Sequence, residues 1–119
     1  MRDAKTIAED YIAFWNAPEP ARRRAMFEIG WRPDASYADP LMRGAGAEEI
    51  GALVAGAQAR FPGFRFRLKG SPNGHGEFLR FSWELGPEGV AATIEGSDVL
   101  RLKDGRIAEV IGFLDKVPG

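Results

Sequence analysis

The sequence predicts an α+β fold in which helices lie on one side of a curved antiparallel sheet. Two observations predict this class. Stretches with the spacing of amphipathic helices occupy the first half of the chain, and stretches of alternating apolar and polar residues occupy the second half. The length of 119 residues is usual for one domain, and no linker or internal repeat divides the chain. We therefore expect a single domain over residues 1–119.

Three helices are predicted in the first half: 3–16, 19–30 and 47–60. The first has an apolar stripe that includes Tyr11 and Trp15 at helical spacing, and the sequence NAPEP then stops it because proline cannot continue a helix. The second begins near Pro20, which suits a first helical turn. The third ends at the helix-breaking sequence FPG.

A short strand is predicted over residues 35–38, between the second and third helices. Pro40 follows Asp39 directly, and a residue before proline is pushed away from the helical region of backbone space. Asp39 is therefore expected to lie extended at the end of this strand.

Four antiparallel strands are predicted in the second half: 64–70, 78–85, 90–103 and 106–115. The sequence FRFRLK alternates apolar and basic residues, which is typical of a sheet with one solvated face. Glycine-rich turn sequences separate the strands, and DG indicates a tight hairpin between the last two. Alternation along the last strand predicts that Ile107 and Phe113 share a face.

Three polar side chains are predicted to point inward: Tyr11, Asp39 and Asp98. Tyr11 lies in the apolar stripe of the first helix, and Asp98 shares a strand face with apolar residues only. A buried phenol needs a hydrogen-bond partner, and a buried carboxyl must be paired, hydrogen-bonded or neutral. Purely structural roles are also open: a backbone carbonyl as the partner of Tyr11, a turn at Asp39, and an ion pair of Asp98 with Arg80 or Arg43.

Composition excludes several classes of function. The formal net charge of −1 gives no basic field for nucleic acid, and no apolar run is long enough to span a membrane. The absence of cysteine removes thiolate chemistry, and His75 as the one histidine excludes a multi-histidine metal site within a chain. The N-terminal sequence has no secretory signal, so we expect a cytoplasmic protein.

The motifs DYIAFWNAPE, ASYADP, FPGFRF and EGSDVLRLKDGRIAEVIGFLD occur in this order along the chain. Together they resemble the SnoaL-like branch of the superfamily named for nuclear transport factor 2, over essentially the whole length. The resemblance implies a cone-shaped curved antiparallel sheet wrapped around N-terminal helices. That superfamily includes isomerases, polyketide cyclases, an epoxide hydrolase and non-enzymatic binding modules, so the fold alone leaves the function open.

The pattern is most similar to that of ketosteroid isomerase. The resemblance implies that Asp39 in YADP is the general base, and that Tyr11 in DYIAFWNA and a protonated Asp98 in GSDVLRL bind the enolate oxygen. The reaction would be cofactor-free proton transfer on a hydrophobic carbonyl compound such as a steroid or polyketide: isomerisation, cyclisation or dehydration. A non-catalytic ligand-binding or protein-interaction module of the same fold is the alternative.

Large aromatic side chains are expected to line the ligand site, with no metal or organic cofactor present. The expected substrate-binding residues are Trp15, Phe61, Phe81, Trp83 and Phe113. The partners expected are a hydrophobic small molecule and, by resemblance, a second copy of the chain packed on the outer face of the sheet. Neither nucleic acid nor a membrane is expected.

Overall fold

The computed structural model describes residues 3–117. In these residues, three helices and two strands come first, and four strands follow. The elements are α1 Ala4–Asn16, α2 Pro20–Gly30, β1 Trp31–Ala38, β2 Arg43–Ala45, α3 Gly46–Arg60, β3 Phe64–His75, β4 Phe78–Pro87, β5 Ile94–Lys103 and β6 Arg106–Lys116. The predicted α+β class is confirmed.

The strands form one six-stranded sheet in the order β2-β1-β6-β5-β4-β3. The neighbouring pairs from β6 to β3 are antiparallel, as predicted, whereas β1 runs parallel to β6. Ala38 at the end of β1 pairs with Ile111 of β6. This pairing brings the residue after β1, Asp39, to the middle of the sheet.

Helix α1 carries the predicted apolar face. Asp3 caps it by accepting a hydrogen bond of 2.8 Å from the Thr6 amide. The buried face of α1 consists of Ile7, Ala8, Tyr11, Ile12, Phe14 and Trp15. At the end of the helix the Asn16 amide makes two hydrogen bonds, of 2.8 and 2.9 Å, with the backbone of Phe66 in β3. These bonds fix the last turn of α1 against the sheet.

The strands differ from the sequence-based expectation in several respects. Strand β1 starts at Trp31 instead of at residue 35. Strand β3 continues to His75, because an irregularity between Lys69 and Asn73 absorbs residues that favour turns. Strand β5 starts at Ile94, after a loop, instead of at residue 90. The short strand β2 was not predicted at all. None of the described helices has both the length and the apolar composition needed to cross a bilayer.

Strand β6 contains a bulge that reverses which side chains face the helices. Leu102 pairs with Ile107 but Arg101 pairs with Glu109, so one residue of β6, Ala108, is extra. Beyond it Val110 and Gly112 are buried, whereas Ile111 and Phe113 lie on the outer face, where Phe113 is 53% exposed. The prediction that Phe113 lines the ligand site on the same face as Ile107 is therefore wrong.

Candidate active site

Tyr11 and Asp98 form a hydrogen-bonded pair inside the protein. The Tyr11 hydroxyl donates to Asp98 Oδ2 at 2.6 Å, and each residue is only 3% exposed. The Trp83 indole N–H donates to Asp98 Oδ1 at 3.1 Å. Within residues 3–117 the carboxyl is thus satisfied by a phenol and an indole, and not by Arg80 or Arg43. The inward orientation of Tyr11 and Asp98 agrees with the expectation from sequence.

Aromatic rings enclose this pair. Phe81 lies edge-on to Tyr11 with ring centroids 5.3 Å apart, and Trp31 stacks on Tyr11 at 5.8 Å. Trp15 lies 6.4 Å from Tyr11. Because these rings exclude water, the electrostatic interactions of the Asp98 carboxyl are stronger there than at the surface.

Burial changes how both groups titrate. Removal from water raises the pKa of Asp98 from 3.8 to about 6, although the hydrogen bonds from Tyr11 and Trp83 act against the rise. The negative charge of Asp39 adds to it. Burial, followed by the charge of Asp98, raises the pKa of Tyr11 well above its usual value. Tyr11 is therefore a permanent hydrogen-bond donor, while Asp98 changes charge near neutral pH.

Asp39 lies at the end of β1, half-buried, with both carboxyl oxygens hydrogen-bonded. Oδ1 accepts from the backbone N–H groups of Leu41 and Met42 at 2.8 and 3.0 Å, which is the turn-forming role considered from the sequence. Oδ2 accepts from the Tyr37 hydroxyl at 2.6 Å. Sequence reasoning missed Tyr37. Alternation along β1 would have placed it on the same side as Asp39.

The two acidic groups meet above a glycine of β6. A Cβ atom on Gly112 would lie 2.9 Å from Asp98 Oδ1, 3.2 Å from Asp39 Cβ and 3.6 Å from the Tyr37 hydroxyl oxygen. Asp39, Asp98 and Tyr37 are therefore close neighbours, and the absence of a side chain at residue 112 leaves the space between them. The sequence contained no local signal for this role of Gly112, because it depends on the register of β1 against β6.

A second glycine makes room for the indole that binds Asp98. A Cβ atom on Gly96 would overlap the Trp83 ring and lie 2.6 Å from the carbonyl oxygen of Phe113. Because residue 96 has no side chain, the Trp83 ring can lie across β5 and reach Asp98 two residues further along the strand.

An aromatic cleft of about 360 Å³ lies beside this site, between the ends of α1 and α3 and the start of β3. Its lining includes Trp15, Phe61, Phe64 and Phe66. Tyr11, Asp39 and Asp98 are not among the lining residues. Trp15 separates the two regions, because its ring also packs on Tyr37 with centroids 5.4 Å apart. Of the expected substrate-binding residues, Trp15, Phe81 and Trp83 thus surround the acidic site, and Phe61 lines the cleft.

The part of the chain that the structure describes contains no cluster of three or more His, Cys, Asp or Glu side chains arranged to hold a metal ion. His75 lies exposed at the end of β3. The polar groups that this site presents are the carboxyls of Asp39 and Asp98, the phenols of Tyr11 and Tyr37, and the indole N–H of Trp83.

Known proteins share both the sequence pattern and the architecture. A family model described as a SnoaL-like domain matches residues 8–110. The crystal structure of a candidate isomerase of the SnoaL-like family from Agrobacterium tumefaciens is 44% identical, with a TM-score of 0.90 over 94% of this chain and 97% of that protein. Among curated proteins, none matches this chain.

More distant structures show the fold alone. A candidate ketosteroid isomerase from Kribbella flavida is 18% identical, with a TM-score of 0.71 over 98% of this chain and 80% of that one. A candidate SnoaL-like polyketide cyclase from Jannaschia sp. is 16% identical, with a TM-score of 0.70 over 97% and 90% of the two chains.

Proposed function

The chain belongs to the SnoaL-like domain family, and from this premise we propose that it is an enzyme of cofactor-free proton transfer on a hydrophobic carbonyl compound. The reaction class is isomerisation, cyclisation or dehydration. One observation carries the proposal. The buried Tyr11–Asp98 hydrogen bond of 2.6 Å lies beside the carboxyl of Asp39, in a shell of aromatic rings.

In the proposed mechanism, Asp39 takes a proton from the carbon next to the carbonyl group. The electrons of the C–H bond move toward the carbonyl, which becomes an enolate. The Tyr11 hydroxyl gives up its hydrogen bond to Asp98, and Tyr11 and protonated Asp98 then both donate hydrogen bonds to the enolate oxygen and stabilise its charge. Asp39 then returns the proton to another carbon, so the enzyme regains its starting state.

The pKa of Asp98 fits this role in part. With a pKa raised to about 6, the carboxyl is mostly ionised at pH 7 and mostly protonated at pH 5. A ligand carbonyl oxygen can accept a hydrogen bond only from the protonated carboxyl of Asp98, so binding itself favours the protonated donor. The proposal therefore includes proton uptake by Asp98 when ligand binds.

The aromatic cleft supports a hydrophobic ligand. Its volume of about 360 Å³ falls within the range of small-molecule sites. The indole N–H of Trp15, at the boundary between cleft and acidic site, is buried and makes no hydrogen bond of normal geometry within residues 3–117, although it lies near enough to the Tyr11 hydroxyl to lower the pKa of Tyr11. A ligand oxygen is a suitable acceptor. For the ligand to reach Tyr11 and Asp98 from the cleft, the Trp15 side chain must move aside.

Turnover of androst-5-ene-3,17-dione, a β,γ-unsaturated ketone with an ultraviolet-absorbing conjugated product, tests the proposal. Wild type and Asp39→Asn are compared, because asparagine keeps the shape of the side chain and removes the base. We expect the variant to lose about 100-fold or more in kcat, the usual contribution of a positioned base. Equal rates, or no turnover by either protein, refute isomerisation.

A non-catalytic ligand-binding module is the second candidate, and one observation favours it. The rings of Trp15 and Phe81 fill the space around Tyr11 and Asp98. As a result, neither Tyr11 nor Asp98 lines the cleft. Titration of the conjugated product, androst-4-ene-3,17-dione, against tryptophan fluorescence separates the two. Binding that Asp39→Asn leaves unchanged, in a protein without turnover, supports the module.

We also propose a homodimer through the outer face of the sheet. The bulge in β6 turns Ile111 and Phe113 outward, where they are 42% and 53% exposed. An ion pair lies on the same face and makes its edge polar: Arg101 Nε is 3.3 Å from Glu109 Oε1. Such a mixed surface is typical of an interface.

The dimer is tested by the mass of Phe113→Glu in light scattering after size exclusion. We expect wild type to be dimeric and the variant monomeric. The matched control is Ile29→Glu, which adds the same charge at an exposed apolar residue of α2. A monomeric wild type refutes the dimer.

A further inference from the structure

The carboxyl of Asp39 is held more tightly than its turn requires. A carboxylate offers about four lone-pair positions to donors. Within residues 3–117, the amides of Leu41 and Met42 occupy Oδ1, and the Tyr37 hydroxyl occupies one position on Oδ2. One lone pair of Oδ2 remains. Rotation of the carboxyl group would break all three hydrogen bonds.

Tyr37 is itself fixed in place. It is 6% exposed, its ring packs on Trp15, and its backbone pairs with Gly44 on one side and Val110 on the other. Burial and the neighbouring negative charges of Asp98 and Asp39 raise the pKa of Tyr37 far above its usual value, so the hydroxyl stays protonated and donating.

We propose that Tyr37 is a positioning residue for the reaction, whose hydroxyl orients the Asp39 carboxylate so that one lone pair of Oδ2 takes the substrate proton. This inference rests on the proposed function. Preorganisation of a base in this way contributes to rate, because a misplaced catalytic group lowers the fraction of productive encounters. A hydrogen bond that only stabilised the turn would affect folding and leave turnover unchanged.

The test compares Tyr37→Phe with a matched control, Ser97→Ala. Phenylalanine keeps the ring that packs on Trp15 and removes only the hydroxyl. The Ser97 hydroxyl also donates to a carboxylate oxygen, that of Asp115, at 2.6 Å, but does so on the outer face of the sheet. Each variant therefore removes one short hydroxyl–carboxylate bond, and Ser97→Ala also removes a hydrogen bond of 3.1 Å between the Ser97 and Ser82 hydroxyls.

With androst-5-ene-3,17-dione as substrate, we expect Tyr37→Phe to lower kcat about tenfold while KM changes less than twofold, since misorientation acts on the chemical step. Ser97→Ala should keep both constants. Tyr37→3-fluorotyrosine, which retains ring and donor, should keep kcat within about threefold. This variant separates loss of the donor from disturbance of the core.

The outcomes distinguish the two proposals. Wild-type kcat in Tyr37→Phe overturns the positioning role and leaves the proposed function standing. A tenfold loss in the fluorotyrosine variant, or an equal loss in Ser97→Ala, also overturns the role, because the effect then does not follow the hydroxyl at residue 37. No turnover by wild type refutes isomerisation as the function, and with it the role of Tyr37 in that reaction.

Discussion

Replacement of Asp98 by asparagine is expected to remove a pH-dependent loss of stability. The buried carboxyl has a pKa of about 6 in the folded protein against 3.8 as its reference value. One pKa unit corresponds to 1.36 kcal/mol, so ionisation of this group costs the folded state about 3 kcal/mol. Because the pKa of Asp98 is raised in the folded protein, the contribution of the neutral carboxyl to the free energy of unfolding is complete below about pH 4. That contribution is lost as the pH rises through 6.

Asparagine imitates the protonated acid. Its carbonyl oxygen can accept the hydrogen bond from Trp83, and its amide can donate to the Tyr11 oxygen. Asp98→Asn should therefore match wild type within about 1 kcal/mol at pH 4 and exceed it by about 3 kcal/mol at pH 7. Titration of the groups that do not interact with residue 98 is common to both proteins and cancels in the difference.

Urea unfolding at pH 4, 5, 6 and 7 measures this difference directly. The control is Asp34→Asn, which makes the same substitution at an exposed carboxyl. We expect its difference from wild type to stay flat with pH. If Asp98→Asn also gives a flat difference, or if wild type gains relative stability as the pH rises, the assignment of Asp98 as a carboxyl strained by burial is refuted.

Two further substitutions test the geometry around Asp98. Gly96→Ala should lower the free energy of unfolding by about 3 kcal/mol in urea, because the added methyl group displaces Trp83 and crowds the backbone. The control Gly51→Ala, in open space on α3, should raise it by up to about 1 kcal/mol. A loss of less than about 1 kcal/mol for Gly96→Ala contradicts the packing. Tyr11→Phe removes a hydrogen bond that lowers the pKa of Asp98, so this pKa should rise above 6 in a carbon-13 NMR titration, and a fall would contradict the assigned hydrogen bond.

The sequence by itself determined the local elements and the inward direction of two polar groups. Helical spacing placed Tyr11 on the buried face of α1, and alternation placed Asp98 on the buried face of β5. Both inferences need only the periodicity of a helix or a strand, which is a property of consecutive residues. A buried phenol and a buried acid then required partners, and each is the partner of the other.

Only the tertiary structure decided how strands meet. The bulge at Ala108 turns Phe113 outward, and an extra residue in a strand leaves no trace in the alternation of side chains before it. The approach of Asp39 to Asp98 depends on the parallel pairing of β1 with β6 over Gly112. Pairing between distant segments is set by packing of the whole core. The sequence alone could therefore identify Asp39 and Asp98 as candidate acids, but it could not predict that they lie close together.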